Sequence, residues 1–517
     1  MNYVHSEGSG IFSAPGLSNA RSLLCRMVPV IAVLVFLAWC YVTLRADFAR
    51  DDADPEILNQ AWQLANGKSI YRSIDSPPFA FAAYPPLYYA IVALLLKLTG
   101  LSFLPAKLIS FLSALSIGWA GVILNRHWNK TSQGGIWVAF FLFLIPAFLY
   151  NAVRCHVQMM AVALSIWSLV FFIRNRWWTT LIISPLLAVL AVYTKQTQLA
   201  LPMAMAVYLA LRNRRWFLPY AATGFFASLI PLIWLQWISE GNFLLDTVHL
   251  AKLEYNILTI PLIFIHHAGP IFLFIGLALH ALWMRLREGI WEPIDIYLAS
   301  VFITTLVSLG RAGAHGQYVL ELLVVTLLFL LRTLNVPLII GRDRLVLIQI
   351  LLLLIYAPLF VFVEEGLGNM AANRAAKQIY PLIKQESGPI LSQQGSFALF
   401  SRGEIYIQLF HFSALSRAGM WDQSLILKEI DKRTFSWVIT EFPLENPDMS
   451  DDDRERFTPE LVEALKRNYQ RREAIYPYYL YRPRLVESSK HQLFTPCSDA
   501  ISTKAFCLLV GVRLRIV

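Results

Sequence analysis

The 517-residue chain is 57% hydrophobic and only 15% charged, with a mean hydropathy of +0.53. A soluble protein of this length cannot bury so much apolar surface, because single cores stop growing and chains divide into domains. The net charge of +10 comes largely from short basic clusters between apolar segments, a pattern typical of cytoplasmic loops rather than of nucleic-acid binding. The composition therefore predicts a polytopic membrane protein with no nucleic-acid partner.

The first long apolar segment, residues 27–44, contains eighteen residues without a charge. This length is typical of a membrane-spanning helix, and no small-residue cleavage site of a signal peptide precedes the next loop. Residues 1–26 are then predicted to be a cytoplasmic segment, and residues 45–103 the first outer loop.

Basic clusters alternate along the chain with loops that are poorer in lysine and arginine, and two apolar segments separate consecutive clusters. By the positive-inside rule, the clusters are cytoplasmic and the intervening loops face outward. The pattern predicts eleven spans, a cytoplasmic N-terminus and an outward C-terminal region. The predicted spans are 27–44, 104–124, 135–150, 157–173, 178–192, 198–211, 216–238, 262–284, 292–309, 317–331 and 345–363.

Two helices of the first outer loop are predicted to lie in the membrane interface. In the first, Asp54 is a good N-cap, Pro55 fits the first turn and Gly67 fits the C-cap. It has an apolar face opposite a polar one, as in helices that lie on a bilayer. The second, residues 85–100, is short for a span and carries Lys97. The polar face of the first helix consists of Glu56, Asn59, Gln60 and Gln63.

Residues 27–363 are predicted to form the membrane domain, and residues 364–517 a soluble α/β domain. The domain's strands are predicted at 388–393, 435–440, 479–484 and 505–516, and a capped helix at 458–472. In an oxidising compartment Cys497 and Cys507 could pair, and the sequence leaves that disulfide open.

Nearly all the unusual polar residues fall in the predicted outer loops. Each has a structural explanation on its own: Asp54 as a helix cap, Lys195 as a side chain reaching the surface, Arg311 as a helix end, and the histidines as packed residues. Together, carboxylates, fixed cations and histidines on one face favour a site for an anionic, lipid-borne substrate. These outer residues are Asp47, Asp51, Asp52, Asp54, Glu56, Arg154, His156, Lys195, His249, Glu254, Arg311, His315 and Gln317.

The order of several motifs resembles a known family. A spanning helix is followed by an acidic loop, an "A..L..G..IY" helix and "YPPLYYAIVALLLKLTG"; later come "AVYTKQTQLALP" and "RAGAHGQYVLEL". This arrangement resembles the GT-C superfamily of membrane glycosyltransferases, family 39-like, which includes the bacterial relatives of protein O-mannosyltransferases and aminoarabinose transferases. The resemblance extends over almost the whole chain, although the individual motifs are loose.

The resemblance implies a mainly α fold: a GT-C helix bundle of about eleven spans with outer interfacial helices and a small C-terminal α/β extracytoplasmic domain. It also implies transfer of a sugar from a polyprenyl-phosphate donor to a glycan, lipid or protein acceptor by inverting displacement. The site would face the periplasm of a bacterial plasma membrane.

The family's functional residues map onto this chain residue by residue. Asp54 matches the catalytic carboxylate, with Asp52 and Asp51 as alternatives. Lys195 matches the lysine that contacts the donor phosphate. The further residues implied are Arg311, Arg154 and Tyr84 at the phosphate, and Glu56, His249 and His156 at a divalent metal ion used by some members.

The sequence departs from the family at three places. A second carboxylate is replaced in "RCH" by His156, Gln317 stands where relatives have asparagine, and Tyr84 stands where the aminoarabinose branch has lysine. A lipid A specificity therefore does not carry over. The alternatives are a transporter or flippase of lipid-linked sugars, which would have charges in mid-span and broken helices, and an O-antigen-ligase-type enzyme or assembly scaffold.

Overall fold

The computed structural model describes residues 15–46, 48, 52–131, 133–250, 255–334, 344–446 and 448–484. Five residues of interest lie outside this described part: Asp51, which is a predicted catalytic residue, and Asp47, Glu254, Cys497 and Cys507. The strand predicted at 505–516 also lies outside it.

The described residues up to Pro483 belong to one compact, mainly helical unit. Its N-terminal part consists of helices joined mostly by short connections. These α-helices are Pro15–Leu44, Ala53–Ala65, Leu87–Thr99, Leu104–Asn129, Gln133–Leu142, Pro146–Ala152, Val157–Phe172, Ser184–Thr194, Ala200–Arg212, Arg214–Ile238, Asn242–Leu244, Thr259–Ala268, Phe272–Arg287, Pro293–Leu309, Leu320–Leu334 and Arg344–Leu359. The π-helical segments are Thr179–Ile183, Leu245–His249 and Phe360–Gly366, and the 3₁₀ turns are Gly269–Ile271 and Gly316–Tyr318.

Within the described residues, six helices are long and apolar enough to cross a membrane, and a seventh span results if the bent pair Gly134–Leu142 and Pro146–Ala152 counts as one. The other predicted spans coincide with apolar helices of 10–17 residues, such as Val157–Phe172 and Pro293–Leu309. Leu87–Thr99, predicted not to cross, is also in this shorter class. The membrane helices thus lie where the sequence predicts them, and the count of eleven spans stays a prediction.

Large apolar side chains cover the outer surface of the bundle. On Arg214–Ile238, for example, Leu218 is 71% exposed, Ile230 69% and Trp237 77%. Exposed apolar surface on this scale would be very unfavourable in water and is typical of a lipid-facing surface. The interior is filled by a separate apolar core that includes Trp39, Phe141 and Phe148.

A small α/β layer follows the last membrane helix. Its sheet has strands β1 (Ile390–Ser392), β2 (Trp437–Thr440), β3 (Tyr469–Ile475) and β4 (Tyr478–Pro483), in the order β1-β2-β4-β3. β1 and β2 are parallel, and the other neighbours are antiparallel. The helices of this layer are Leu367–Ile383, Gly395–Arg402, Leu409–Arg417, Ser424–Asp431, Asp451–Arg456 and Pro459–Asn468.

Three of the predicted strands are confirmed, and one helix is shorter than predicted. The predicted helix 458–472 begins correctly, since the Thr458 side chain accepts a hydrogen bond from Leu461 N, but it ends at Asn468. Tyr469 begins β3, because the segment pairs with β4 and tertiary pairing outweighs the helical preference of its arginines.

The helix that follows the acidic cluster, Ala53–Ala65, differs from its prediction in two ways. Its N-cap is Asp52, so the prediction of Asp54 as N-cap was wrong, and Asp54 lies in the first turn. Its polar face is also buried, with Asn59 fully inaccessible. Asn59 Oδ1 accepts from the Ile405 backbone N at 3.2 Å, and Gln63 Nε2 donates to the Gly403 carbonyl at 2.9 Å.

The C-terminal α/β layer therefore covers the face that the sequence pattern assigned to water. The Phe79 backbone N also donates to the Tyr406 carbonyl at 2.7 Å, and Gln408 N donates back to the Phe79 carbonyl at 3.0 Å. These contacts hold the first outer loop and residues 403–408 together. They position the beginning of Ala53–Ala65 beside the C-terminal layer.

Candidate active site

A partly open cavity of about 800 Å³ lies between the ends of the membrane helices and the C-terminal layer. Four of the five predicted outer loops contribute to its lining, and the loop 239–256 is the exception. Residues from the membrane helices, such as His266, His267 and Tyr356, and from the C-terminal layer form the rest of the lining. Its charged and histidine lining residues are Asp52, Glu56, Arg154, Lys195, His266, His267, Arg311, His315, His411, Glu441, Asp452, Asp453, Glu455 and Arg456.

Lys195 is a buried basic residue in this lining, and burial, together with the nearby Arg311, lowers its pKa from 10.5 to about 7. It directly follows the helix Ser184–Thr194, where the chain turns to an extended conformation. Its ammonium contacts the Gln158 side-chain oxygen and lies 4.2 Å from the Tyr318 ring centroid and 5.9 Å from that of Tyr84. Because Lys195 is only 1% exposed, the alternative that its side chain reaches the membrane surface does not fit.

The other predicted phosphate ligands reach the same cavity. Arg311 is half-buried in the turn after Pro293–Leu309, and Tyr84 lies beside Lys195. Arg154 also lines the cavity, and its guanidinium lies 4.2 Å from the Tyr150 ring centroid. The structure thus gathers all four predicted donor-binding residues on one cavity.

Two carboxylates of the first outer loop line the cavity. Asp52 pairs with the guanidinium of Arg456. Glu56 Oε2 lies 3.2 Å from His411 Nδ1. Both partners belong to the C-terminal layer, so that layer holds Asp52 and Glu56 in place. These two carboxylates form the acidic wall of the cavity.

Asp54 occupies a different position from these two carboxylates. It is 3% exposed and does not line the cavity, and its Oδ2 accepts from Arg154 Nε at 2.9 Å. A buried ion pair with a guanidinium stabilises the ionised carboxylate and so weakens it as a base. The role of Asp54 as base stays a prediction.

The three predicted metal ligands are not assembled. Glu56 contacts His411, whereas His249 is exposed on the segment Leu245–His249 outside the cavity lining. His156 is buried at the start of Val157–Phe172, where its Nδ1 accepts from Gln158 N at 3.4 Å. Within the described residues, no three His, Cys, Asp or Glu side chains lie together as a metal ion would require. Glu56, His249 and His156 therefore do not form one divalent-metal site.

Several cavity residues had not been identified from the sequence. His411 and Arg456 carried no recognisable signal, because each is an isolated polar residue in a soluble segment. His266 and His267 lie at the mouth of a predicted span, a position from which no role follows. His315 was noted only as one of the outer polar residues.

Asp246 is a buried acid next to the cavity lining. The Asp246 side chain is inaccessible to solvent, and burial raises its pKa from 3.8 to about 8. The backbones of Ala82 and Arg72 and the charge of the Arg72 side chain lower the pKa, but burial has the larger effect. The neighbouring Thr247 carbonyl accepts from the cavity residue Gln196 at 2.9 Å. Asp246 therefore directly precedes a residue whose backbone supports the cavity wall.

We expect Asp246→Asn to stabilise the protein increasingly as pH rises from about 4 to about 8. The folded state binds the Asp246 proton more tightly than the unfolded state, so wild-type stability falls between the pKa of 3.8 and that of about 8. The asparagine variant has no proton to lose. Thermal unfolding in nanodiscs at a series of pH values tests this, and a pH-independent difference would contradict it.

Comparison with known proteins gives matches only at the level of structure. No family model and no curated protein matches the chain. The structure of ArnT from Cupriavidus metallidurans bound to undecaprenyl phosphate superposes with a TM-score of 0.59 and 13% identity, covering 88% of this chain and 97% of that one. The apo state of the same protein gives 0.57 and 15%, covering 87% and 97%.

The chain has the fold of ArnT. Because the superposition covers 88% of this chain, it extends beyond the membrane helices into the C-terminal layer. The resemblance to GT-C membrane glycosyltransferases is thereby confirmed for the fold. The Archaeoglobus fulgidus oligosaccharyltransferase in complex with zinc and sulfate matches at a TM-score of 0.47 and 12% identity, covering 80% of this chain and 68% of that one, too weakly to support a conclusion.

Proposed function

We propose that this chain is a membrane glycosyltransferase that moves a sugar from a polyprenyl-phosphate carrier to an acceptor outside the cytoplasm. The observation that carries the proposal is the cavity, where Lys195 and Arg311 lie in the same lining as the carboxylates Asp52 and Glu56. The likeness to ArnT, whose structure contains undecaprenyl phosphate, supports this assignment.

The cavity has the parts that such a transfer needs. A phosphate that leaves from a sugar develops negative charge, which Lys195 and Arg311 are suited to neutralise. The acceptor hydroxyl must lose a proton as it attacks, and the acidic wall offers groups that can take it. Attack from the side opposite the leaving phosphate inverts the anomeric carbon.

The proposed transfer requires an acceptor hydroxyl but no metal ion. A glycan, a lipid or a protein hydroxyl can each supply the attacking oxygen. Because Glu56, His249 and His156 do not form a ligand set, the proposed mechanism contains no step through a metal ion.

We further propose that the cavity and residues 364–517 face the periplasm of a bacterial plasma membrane. The support is the charge pattern: the basic clusters lie in the loops opposite to those that line the cavity. A lipid carrier can then present its sugar from the membrane while the acceptor approaches from the aqueous side.

A transporter or flippase of lipid-linked sugars is not favoured. Such proteins place charged residues and broken helices near the membrane midplane. In this chain Lys195 lies directly after a helix and Arg311 in a turn between two helices. Both charges thus lie at helix ends and not in the middle of a span.

The proposal is tested with purified protein in vesicles that contain undecaprenyl-phosphate-linked hexoses and pentoses labelled in the sugar. We expect release of undecaprenyl phosphate and transfer of label to a fraction of cell-envelope glycans, lipids or proteins. Movement of intact labelled donor between leaflets without its cleavage would instead show a flippase and contradict the proposal.

A further inference from the structure

The C-terminal layer contributes one histidine directly to the cavity. His411 lies in the first turn of the helix Leu409–Arg417, and its side chain lines the cavity. Its ring packs edge-on between two aromatic rings, with centroids 5.3 Å from that of Phe81 and 5.4 Å from that of Phe410. This packing restricts the orientation of the imidazole.

The two ring nitrogens of His411 have different surroundings. Nδ1 is buried and lies 3.2 Å from Glu56 Oε2, an ion-pair contact whose angles do not meet those of a hydrogen bond. Nε2 forms no hydrogen bond with any residue that the structure describes, and the side chain faces the cavity. A carboxylate at Nδ1 and an available Nε2 are the features that make an imidazole an oriented general base.

The charges that face His411 favour its protonated form. Burial lowers the pKa of the imidazole, but the nearby carboxylates of Glu56 and Asp52 outweigh burial, and the net direction is upward. Asp52 is itself paired with Arg456. Glu56 is therefore the carboxylate in direct contact with the imidazole.

The loop that carries Arg311 lies next to His411 in space. Gly313 has a φ of +74°, and a Cβ at this position would lie 2.9 Å from the ring of Phe410, the residue before His411. The close approach requires glycine and brings the loop against the helix Leu409–Arg417. A donor phosphate held by Arg311 would thus lie in the same cavity as His411 and close to its helix.

We propose that His411 and Glu56 form a catalytic dyad in which His411 Nε2 accepts the proton of the acceptor hydroxyl and Glu56 holds the imidazole through Nδ1. This inference rests on the proposed glycosyl transfer. As the acceptor oxygen bonds to the anomeric carbon, its proton passes to Nε2. The bond from the anomeric carbon to the phosphate oxygen breaks, and its electron pair leaves with the lipid phosphate.

The dyad gives the acidic wall a division of roles. Glu56 is the positioning residue, which also stabilises the imidazolium formed in the step. Asp52 and Asp54 each pair with a guanidinium, Arg456 and Arg154 respectively, and so hold the walls of the cavity in place. The proton acceptor then differs from Asp54, the residue that the family resemblance implies.

The test compares His411→Gln and Glu56→Gln with the wild-type protein in nanodiscs, using the labelled undecaprenyl-phosphate sugars. We expect His411→Gln to lower kcat by about 100-fold or more, the usual contribution of a general base. Glu56→Gln removes the carboxylate that raises the imidazole pKa. The acidic limb of its pH–rate profile is therefore expected to move to lower pH.

Binding and a matched histidine provide the controls. Undecaprenyl phosphate affinity, measured by thermophoresis, should stay within about twofold in His411→Gln, which separates lost chemistry from misfolding. His280, exposed on Phe272–Arg287 and away from the cavity lining, supplies the control variant His280→Gln with wild-type kcat.

The outcomes separate the dyad from the function on which it rests. If the wild-type protein transfers sugar and His411→Gln does so with equal kcat, or if Glu56→Gln leaves the acidic limb unmoved, the dyad is wrong and the transferase stands. If the wild-type protein cleaves no lipid-linked sugar, the proposed function itself is wrong.

Discussion

Replacing Lys195 with methionine is expected to weaken the binding of undecaprenyl phosphate by about 10- to 100-fold and to raise the KM for the donor similarly. This range corresponds to the loss of one hydrogen bond to a charged group, about 1.5–3 kcal/mol. The KM for the acceptor should change little, because the proposed role of Lys195 concerns the phosphate alone.

The surroundings of Lys195 explain why an anionic ligand should matter so much. The ammonium is almost fully buried, and its close contacts are an amide oxygen of Gln158 and the rings of Tyr318 and Tyr84. Lys195 forms no ion pair within the described part of the chain. A buried cation without a direct anionic contact is costly, so a bound phosphate would both gain and provide electrostatic stabilisation.

Lys97 supplies the matched control. It is exposed near the end of Leu87–Thr99 and does not line the cavity. We expect Lys97→Met to bind undecaprenyl phosphate as the wild type does. Equal affinity of Lys195→Met and wild type, measured by thermophoresis in nanodiscs, would show that Lys195 does not contact the donor phosphate.

The sequence predicts the membrane helices and the side of the bundle on which function lies. Long apolar runs have no other stable environment, and basic loops alternate with loops that meet at one cavity. For this reason the sequence predicts one shared site for three residues that are far apart in the chain, Lys195, Arg311 and Arg154. All of them line it.

The contribution of the C-terminal layer could not be predicted in the same way. Arg456 pairs with Asp52 across 404 residues of sequence, and no local pattern encodes such a contact. The polar face of Ala53–Ala65 was also ambiguous, because amide side chains suit both water and backbone groups of another segment. In the folded chain Asn59 and Gln63 bond to the layer, which the amphipathic pattern cannot distinguish from solvation.

Asp54→Asn is expected to lower the free energy of unfolding by about 3–5 kcal/mol and to abolish most sugar transfer. The substitution leaves the guanidinium of Arg154 buried without its charged partner at 2.9 Å, and removing one member of a buried pair has an effect of this size. Thermal unfolding and transfer from labelled undecaprenyl-phosphate sugars measure the two effects separately.

A loss of transfer in Asp54→Asn fits both a base and a structural ion pair, so the double variant Asp54→Asn/Arg154→Met is the decisive comparison. Removing both charges leaves no buried guanidinium that has lost the Asp54 carboxylate, and replacement of buried pairs by apolar side chains is often neutral. If Asp54 acts through Arg154, stability should return, and transfer at saturating donor, where a weaker donor affinity is compensated, should recover at least about tenfold over the single variant. If stability and the binding of undecaprenyl phosphate both return to wild-type values while transfer at saturating donor stays absent, Asp54 itself takes the proton, and the assignment of that step to His411 fails.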